Sequence, residues 1–140
     1  LMICTGTGSA PFRAFTMHRQ RTAPGAGGHL HLYFGARTPE ELPYFGPLKR
    51  VPESLMTQRL VFSRVAGEPK RYVQDQLRAD RDSLAALIGA PDTYIYVCGL
   101  RGMEAGVEAA LEDIAAEAGL AWADLKSRMR EEGRLHVETY

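Results

Sequence analysis

Residues 3–15, ICTGTGSAPFRAF, place a glycine-rich turn between an apolar strand and a proline that suits the start of a helix. Pro11 fits the first helical turn, where its missing N–H does no harm. The glycines allow a tight bend, and the following helix N-terminus offers free N–H groups and a positive dipole end. Thr5 and Thr7 add uncharged donors. The stretch therefore predicts a strand–turn–helix unit that holds a pyrophosphate, with a ligand-free structural turn as the alternative.

Outward from this turn, apolar runs alternate with amphipathic segments along the whole chain. Strands are predicted at residues 1–4, 29–37, 59–64, 93–99 and 134–140. Helices are predicted at residues 11–21, 72–88, 103–114 and 122–129, with a short, proline-interrupted helical region at 39–52. Such alternation implies right-handed crossovers. The fold class predicted is α/β: a doubly wound, mostly parallel five-stranded sheet with helices on both faces, in one domain over residues 1–140.

The composition and net charge of the chain disfavour some classes of binding partner. Lys+Arg and Asp+Glu both total 17, so the net charge is zero, which disfavours a nucleic-acid or membrane-surface binder. No apolar stretch is long enough to span a bilayer, and no signal-peptide pattern is present. Cys4 and Cys98 are expected to remain thiols in a reducing cytoplasm. The histidines have no metal-ligand spacing with the cysteines, so no metal site is expected.

The segment FSRVAGEPKRYVQ, residues 62–74, follows the third predicted strand. In dinucleotide sites an acid at such a position binds the ribose 2′-hydroxyl, whereas an arginine accommodates a 2′-phosphate. No acid follows the strand directly; Ser63 and Arg64 do, and Lys70, Arg71 and Tyr72 come soon after. A phosphate dianion suits forked guanidinium donors, a second cation and hydroxyls. Tyr72 could also stack on adenine, with Arg64 or Arg71 on the other side. A solvated basic edge is the alternative.

The segment YVCGLRGM, residues 96–103, ends the fourth predicted strand at the same edge of the sheet. Gly99 and Gly102 leave room for close approach of a ligand. Two interpretations of Cys98 stay open: a buried, inert cysteine, or a thiol beside a nicotinamide ring.

Together these segments resemble the NADP-binding domain of the ferredoxin–NADP reductase family, including its diflavin relatives. GTGSAPFR resembles that family's GTG(I/T)APFR motif, and LYFGAR, which ends at Arg37, resembles its second-strand segment. SR…K-x-Y-x-Q is similar to its 2′-phosphate pocket, YVCGLRGME to its Y-x-CG motif, and VETY to the terminus of plant-type members. The motifs occur in the family's order from Thr5 to Tyr140. Ser9 departs from the family, which has an aliphatic residue there.

The resemblance implies a set of site residues. Cofactor binding falls to Thr5, Gly6, Thr7, Gly8, Pro11, Arg37, Ser63, Arg64, Lys70, Tyr72, Gln74, Gly99, Leu100 and Met103. The first five would form the pyrophosphate turn, and the segment 63–74 would hold the 2′-phosphate and adenine. Catalytic roles fall to Cys98 near the reacting carbon of the nicotinamide, to Glu138 near the flavin and nicotinamide, and to Tyr140, which would stack on the flavin until the nicotinamide displaces it.

The resemblance also implies an activity that needs more than this chain. NADPH would pass a hydride to FAD, which then releases electrons to a ferredoxin-type, haem or oxygenase acceptor. The family's R-x-(Y/F)-(S/T) flavin motif is missing, and the chain opens as the tail of a strand without an initiator methionine. We therefore expect an upstream FAD-binding domain in the same polypeptide and no turnover by this chain alone.

A narrower resemblance is to the reductase component of benzoyl-CoA epoxidase systems. Two other hypotheses stay open. One is a module that binds NAD or another nucleotide without 2′-phosphate selectivity. The other is an assembly surface for an electron-transfer partner, which the zero net charge supports little.

Overall fold

The fold is built on one parallel sheet. The structure is a computed structural model that describes residues 1–140. Its strands are β1 (Met2–Thr5), β2 (Leu30–Ala36), β3 (Met56–Phe62), β4 (Ile95–Gly99) and β5 (Leu135–Thr139). They lie in the order β3-β2-β1-β4-β5, and every neighbouring pair is parallel. The expected α/β class and five-stranded doubly wound sheet are confirmed, and the sheet is wholly rather than mostly parallel.

Helices cover both faces of this sheet. They are α1 (Ala10–Thr22), α2 (Val73–Ala79), α3 (Arg81–Ile88), α4 (Glu104–Glu117) and α5 (Trp122–Glu131). Single 3-10 turns occupy Gly6–Ser9, Pro39–Glu41, Pro47–Arg50 and Arg101–Met103. The core under α2 to α5 includes Ile3 and Val97, whereas the core under α1 includes Cys4 and Phe34. None of the helices combines the length and apolar composition needed to cross a membrane.

The strand order reverses direction at β1. The first crossover leads from β1 to β2 on one side, and the chain later returns to place β4 on the other side. Ligands of open parallel sheets bind at such a reversal, outside the carboxyl ends of the strands. The turn that follows β1 lies at this edge, as do the segments that follow β2, β3 and β4.

The third strand differs from the prediction for residues 59–64. It begins at Met56, which lies in register with Leu30, and it ends before Ser63. Its first half is polar, with Thr57 and Gln58 half-buried. An edge strand has a neighbouring strand on one side only and tolerates polar residues. The prediction followed the apolar residues alone and therefore began this strand too late.

The prediction of one helix over residues 72–88 is wrong. Two helices, α2 and α3, meet at Asp80, whose backbone leaves the helical region with φ −95° and ψ 14°. The Asp80 carboxylate accepts hydrogen bonds from the Tyr33 hydroxyl at 2.8 Å, from Arg59 Nε at 3.1 Å and from Gln76 Nε2 at 3.1 Å. These bonds tie the junction to β2 and β3, and an aspartate readily adopts a non-helical backbone.

We expect Tyr33→Phe to lower the free energy of unfolding by about 1 kcal/mol at neutral pH, because a partly buried hydroxyl–carboxylate hydrogen bond is lost. Burial raises the pKa of Asp80, but hydrogen bonds from Tyr33, Gln76 and Arg59 outweigh it and hold that pKa below its ordinary value. This stabilisation is present above the unfolded pKa of about 4 and is lost as the pH falls through the lowered folded pKa.

Urea unfolding of both proteins at neutral and acidic pH measures this difference. Tyr94→Phe is a matched control, because the Tyr94 side chain is exposed. A Tyr33→Phe difference that stays constant into strong acid would contradict the assignment to Asp80.

Candidate functional site

A cleft of about 590 Å³ opens at the carboxyl ends of β1, β2 and β3. Most of the binding residues predicted from the sequence line it: Thr5, Gly6, Arg37, Ser63, Arg64, Lys70, Tyr72, Gln74, Leu100 and Met103. Thr7, Gly8, Pro11 and Gly99 do not line it, nor do the predicted catalytic residues Cys98, Glu138 and Tyr140. Segments from four separate regions of the chain, those that follow β1, β2, β3 and β4, therefore converge on one concavity.

Positive charge is concentrated in this cleft. Arg37, Arg64, Lys70 and Arg71 line it against a single carboxylate, Glu41. All four cationic side chains are exposed, and none takes part in the ion pairs of the structure. Because the whole chain has zero net charge, this excess is local. An anionic ligand is the chemistry that such a cleft suits.

The backbone fixes the two arginines that follow β2 and β3. The N–H of Ser63 donates to the Ala36 carbonyl at 3.1 Å, and the N–H of Arg64 donates to the Arg37 carbonyl at 2.8 Å. Strand pairing therefore continues past the last residues of β2 and β3. The Arg37 and Arg64 side chains start from adjacent, defined positions at the ligand edge.

In the turn after β1, the backbone of one residue is exposed, whereas the side chain of another is hydrogen-bonded within the protein. Gly6 has a φ of +54°, and a Cβ at this position would meet no atom within 4 Å, so its backbone faces open space. The Thr5 hydroxyl, in contrast, donates to the Met103 sulfur at 3.1 Å and accepts the N–H of Leu100 at 3.3 Å. Thr5 thereby links the end of β1 to the segment after β4. Its hydroxyl proton is engaged in the hydrogen bond to the Met103 sulfur.

Gly8 and Gly99 serve the packing of the chain on itself. A Cβ on Gly8 would lie 2.6 Å from the Cys98 carbonyl carbon and 2.8 Å from the Gly99 Cα. Gly99 has a φ of +151°, and a Cβ there would lie 2.7 Å from the Met103 sulfur. The turn before α1 therefore sits directly on the end of β4. Pro11 lies half-buried in the first turn of α1.

The predicted catalytic residues form a second group beside the cleft. Cys98 on β4 lies in register with Glu138 on β5. Tyr140 extends this pairing, because its N–H donates to the Gly99 carbonyl at 3.0 Å and its own carbonyl accepts the N–H of Arg101 at 2.9 Å. The Tyr140 hydroxyl shares a hydrogen bond of 2.5 Å with the hydroxyl of Thr7. The terminal ring is therefore held beside the turn after β1.

The two cysteines are free and lie in register on β1 and β4. Burial raises the pKa of Cys98, and the neighbouring Glu138 carboxylate raises it further. Burial raises the pKa of Cys4 as well, with a further contribution from Cys98. Both side chains are therefore neutral thiols at physiological pH, able to pack or donate weakly but poor as nucleophiles.

We expect Cys98 to react with iodoacetamide more slowly in the folded chain than in the unfolded chain at slightly alkaline pH, because only the thiolate attacks and the folded environment raises the pKa of Cys98. Glu138→Gln should accelerate this reaction by lowering the pKa of Cys98. Mass spectrometry of timed samples measures both rates. Cys4, which is fully buried, serves as the unreactive internal reference. Equal rates for Cys98 in folded and unfolded chains would contradict the argument.

Sequence reasoning did not assign three of the residues that shape the site. Arg71 was noted in the basic segment after the third strand and as a stacking partner for adenine, but not among the binding residues; it is a fourth cation of the cleft, and its Nη2 donates to Gln76 Oε1 at 2.7 Å. Glu41 carried no signal, because it lies on a short 3-10 turn after β2. Ser9 is fully buried, and its hydroxyl donates to the Pro43 carbonyl at 3.0 Å, which pins the residues after β2 to the start of α1.

Known proteins resemble this chain over its full length. Residues 2–109 match the family described as the oxidoreductase NAD-binding domain. The chain is 34% identical over 149 residues to a ferredoxin–NADP reductase of Spirulina sp, covering 100% of this chain and 51% of that protein. It is 35% identical over 150 residues to a ferredoxin–NADP reductase of Thermosynechococcus vestitus, covering 100% of this chain and 39% of that protein.

A third relative is the chloroplastic leaf isozyme 2 of ferredoxin–NADP reductase from Oryza sativa subsp. indica. It is 33% identical over 150 residues, which cover 100% of this chain and 41% of the rice protein. The chain thus spans about half the length, or less, of the curated relatives it matches.

Proposed function

Because the chain belongs to the oxidoreductase NAD-binding domain family, we propose that its cleft binds NADP(H). The observation that carries this proposal is the convergence of four cations, none paired with a carboxylate, with Ser63 and Tyr72 beside the turn after β1. The cleft volume is within the range of small-molecule and cofactor sites. The charge and the size of the cleft therefore both suit a dinucleotide that carries an additional phosphate.

Each part of the nucleotide has a chemically suitable neighbour. Ser63, Arg64 and Lys70 would hold the 2′-phosphate through charge-assisted hydrogen bonds. The exposed ring of Tyr72 offers a flat apolar surface for adenine. The open backbone at Gly6, just ahead of α1, would approach the pyrophosphate. Arg37, between these regions, would add positive charge toward the phosphates.

We further propose that the chain is the nicotinamide-nucleotide half of a flavoprotein reductase. NADPH, when bound, supplies a hydride for an FAD that a second, upstream domain of the same polypeptide holds. Residues of this chain position the nicotinamide: the neutral Cys98 thiol beside the ring, Glu138 alongside it, and Tyr140 over the place where flavin and nicotinamide meet. This chain alone would bind the nucleotide without turning it over.

The electron acceptor is the least constrained part of this proposal. The three relatives described above carry the name ferredoxin–NADP reductase, which favours a ferredoxin-type acceptor. An oxygenase acceptor, including one in benzoyl-CoA epoxidation, is the alternative. The two free thiols agree with a cytoplasmic location.

Calorimetric titration of the chain with NADPH and with NADH tests the nucleotide assignment. We expect NADPH to bind at least about tenfold more tightly, because only it presents a 2′-phosphate to Arg64 and Lys70. Equal affinities would favour a module for NAD or another nucleotide without 2′-phosphate selectivity. Absorbance at the nicotinamide band over hours checks the second proposal, and NADPH oxidation by the chain alone would contradict it.

A further inference from the structure

One half of one sheet face carries no helix. On the side of α1, the buried core takes its residues from α1, β1, β2, the start of β3 and the segment between β2 and β3. Neither β4 nor β5 contributes a buried residue to it; Tyr96 and Cys98 of β4 are partly exposed. On the opposite side, the same two strands bury Ile95, Val97 and Leu135 beneath helices.

The uncovered half presents an aromatic face, formed by Phe15 of α1, Tyr96 of β4 and His136 of β5. Phe15, which is 47% exposed, meets the Tyr96 ring edge-on at a centroid distance of 5.4 Å. The His136 ring stacks on Tyr96 at 5.0 Å and 9°. His136 is exposed and lies in register with Tyr96, so the three rings form one continuous surface.

An exposed aromatic face on parallel strands indicates that another structural unit packs against it. All-parallel sheets occur almost only with both faces covered, because their strands are apolar on both sides. A contiguous apolar patch on an otherwise soluble surface marks an interaction site. The alternation along β5, with His136 and Glu138 exposed and Leu135 buried, shows that this strand is built with one covered and one uncovered side.

We propose that the aromatic face docks the flavin-carrying domain, an inference that rests on the proposed function. The face is continuous with the residues assigned to the place where nicotinamide and flavin meet: Cys98 lies two residues beyond Tyr96 on β4, and Glu138 two residues beyond His136 on β5. The relatives contain about as much chain again, or more, outside the matched part. The interface would thus extend down the sheet from the flavin ring, with aromatic rings at its centre and polar groups around them, as in interfaces between domains of one chain.

Histidine modification by diethylpyrocarbonate tests this inference without any substitution. We compare the isolated chain with the flavin-loaded longer polypeptide, at low micromolar concentration. His136 should react about tenfold more slowly in the longer polypeptide, because docking removes its ring from solvent. His18 on α1 is also exposed and is the internal control, with equal rates in both proteins. Unchanged reactivity of His136 would overturn the proposal.

A matched pair of variants tests the role of the rings. Phe15→Ser in the longer polypeptide should restore the reactivity of His136, whereas Leu60→Ser should not, because Leu60 is an exposed apolar residue on the far edge strand. Protection of His136 already in the isolated chain, lost on dilution and accompanied by a dimer in light scattering, would assign the face to a second copy and overturn the proposal.

Titration of the isolated chain with NADPH separates the two proposals. Phe15→Ser should leave NADPH affinity unchanged, because Phe15 does not line the cleft. If the isolated chain binds no NADPH while His136 is protected in the longer polypeptide, the nucleotide assignment fails and the docking face stands. If NADPH binds and His136 stays reactive, the docking face alone fails.

Discussion

Arg64→Asp should weaken NADPH binding about a hundredfold and NADH binding less than about threefold, measured by calorimetry. A hydrogen bond to a charged group contributes about 1.5–3 kcal/mol, and the introduced carboxylate adds repulsion of the 2′-phosphate. NADH lacks that phosphate, so it senses only the change in the overall potential of the cleft. The backbone of Arg64 is fixed by its bond to the Arg37 carbonyl, so the substitution changes the side chain without releasing the segment.

Arg50→Asp is the matched control for Arg64→Asp. Arg50 is exposed and lies outside the cleft, so the two variants change the net charge equally. We expect it to leave both affinities nearly unchanged at physiological salt, since Arg50 does not contact the cleft and salt weakens the interactions of exposed charges. Equal losses of NADPH and NADH affinity in Arg64→Asp would place the 2′-phosphate elsewhere.

Gly8→Ala should lower the free energy of unfolding by about 1–3 kcal/mol, the range for overpacking a tight site. The added Cβ would collide with backbone atoms of Cys98 and Gly99, and backbone cannot swing away as a flexible side chain does. The start of α1 must therefore shift off the end of β4, which also displaces the turn after β1. Urea unfolding measures the stability, and NADPH titration of the folded variant measures the displacement.

Gly25→Ala provides the comparison for Gly8→Ala. Gly25 lies between α1 and β2, and a Cβ there would meet no atom within 4 Å. We expect its unfolding free energy to stay within about 0.5 kcal/mol of the parent chain, as for most surface substitutions. A Gly8→Ala chain as stable as the Gly25→Ala chain would mean that the turn does not rest on β4.

Much of the fold could be predicted because its signals are local. The glycines and Pro11 at residues 3–15 define a strand–turn–helix unit by their own backbone preferences, and central parallel strands appear as apolar runs. The break at Asp80 could not be predicted, because it depends on Tyr33 and Arg59, which come from two other strands. The polar start of β3 was missed for a related reason, since edge position is a property of the sheet and not of the segment.

The candidate site also contains residues that local sequence patterns predict and features that depend on the packing of distant segments. Strand-end reasoning and the family resemblance together indicated Ser63, Arg64, Lys70 and Tyr72, and the structure brings them to one cleft with Thr5 and Gly6. The packing roles of Gly8 and Gly99 and the engaged hydroxyl of Thr5 depend on how β1 sits against β4. No local sequence pattern predicts the register between these two strands. The roles of all these residues toward a nucleotide stay predictions.

The central place of β1 has a consequence for how the chain reaches its native state. Its neighbour β4 is separated from it along the chain by α1, β2, β3, α2 and α3. The contacts between β1 and β4 therefore join residues that are far apart in the sequence. The entropy lost on closing the intervening loop opposes folding until these contacts have formed. The polypeptide should accordingly fold on the slower time scale of non-local sheets. We therefore expect the turn beside β1 to complete its packing only once β4 has joined the sheet.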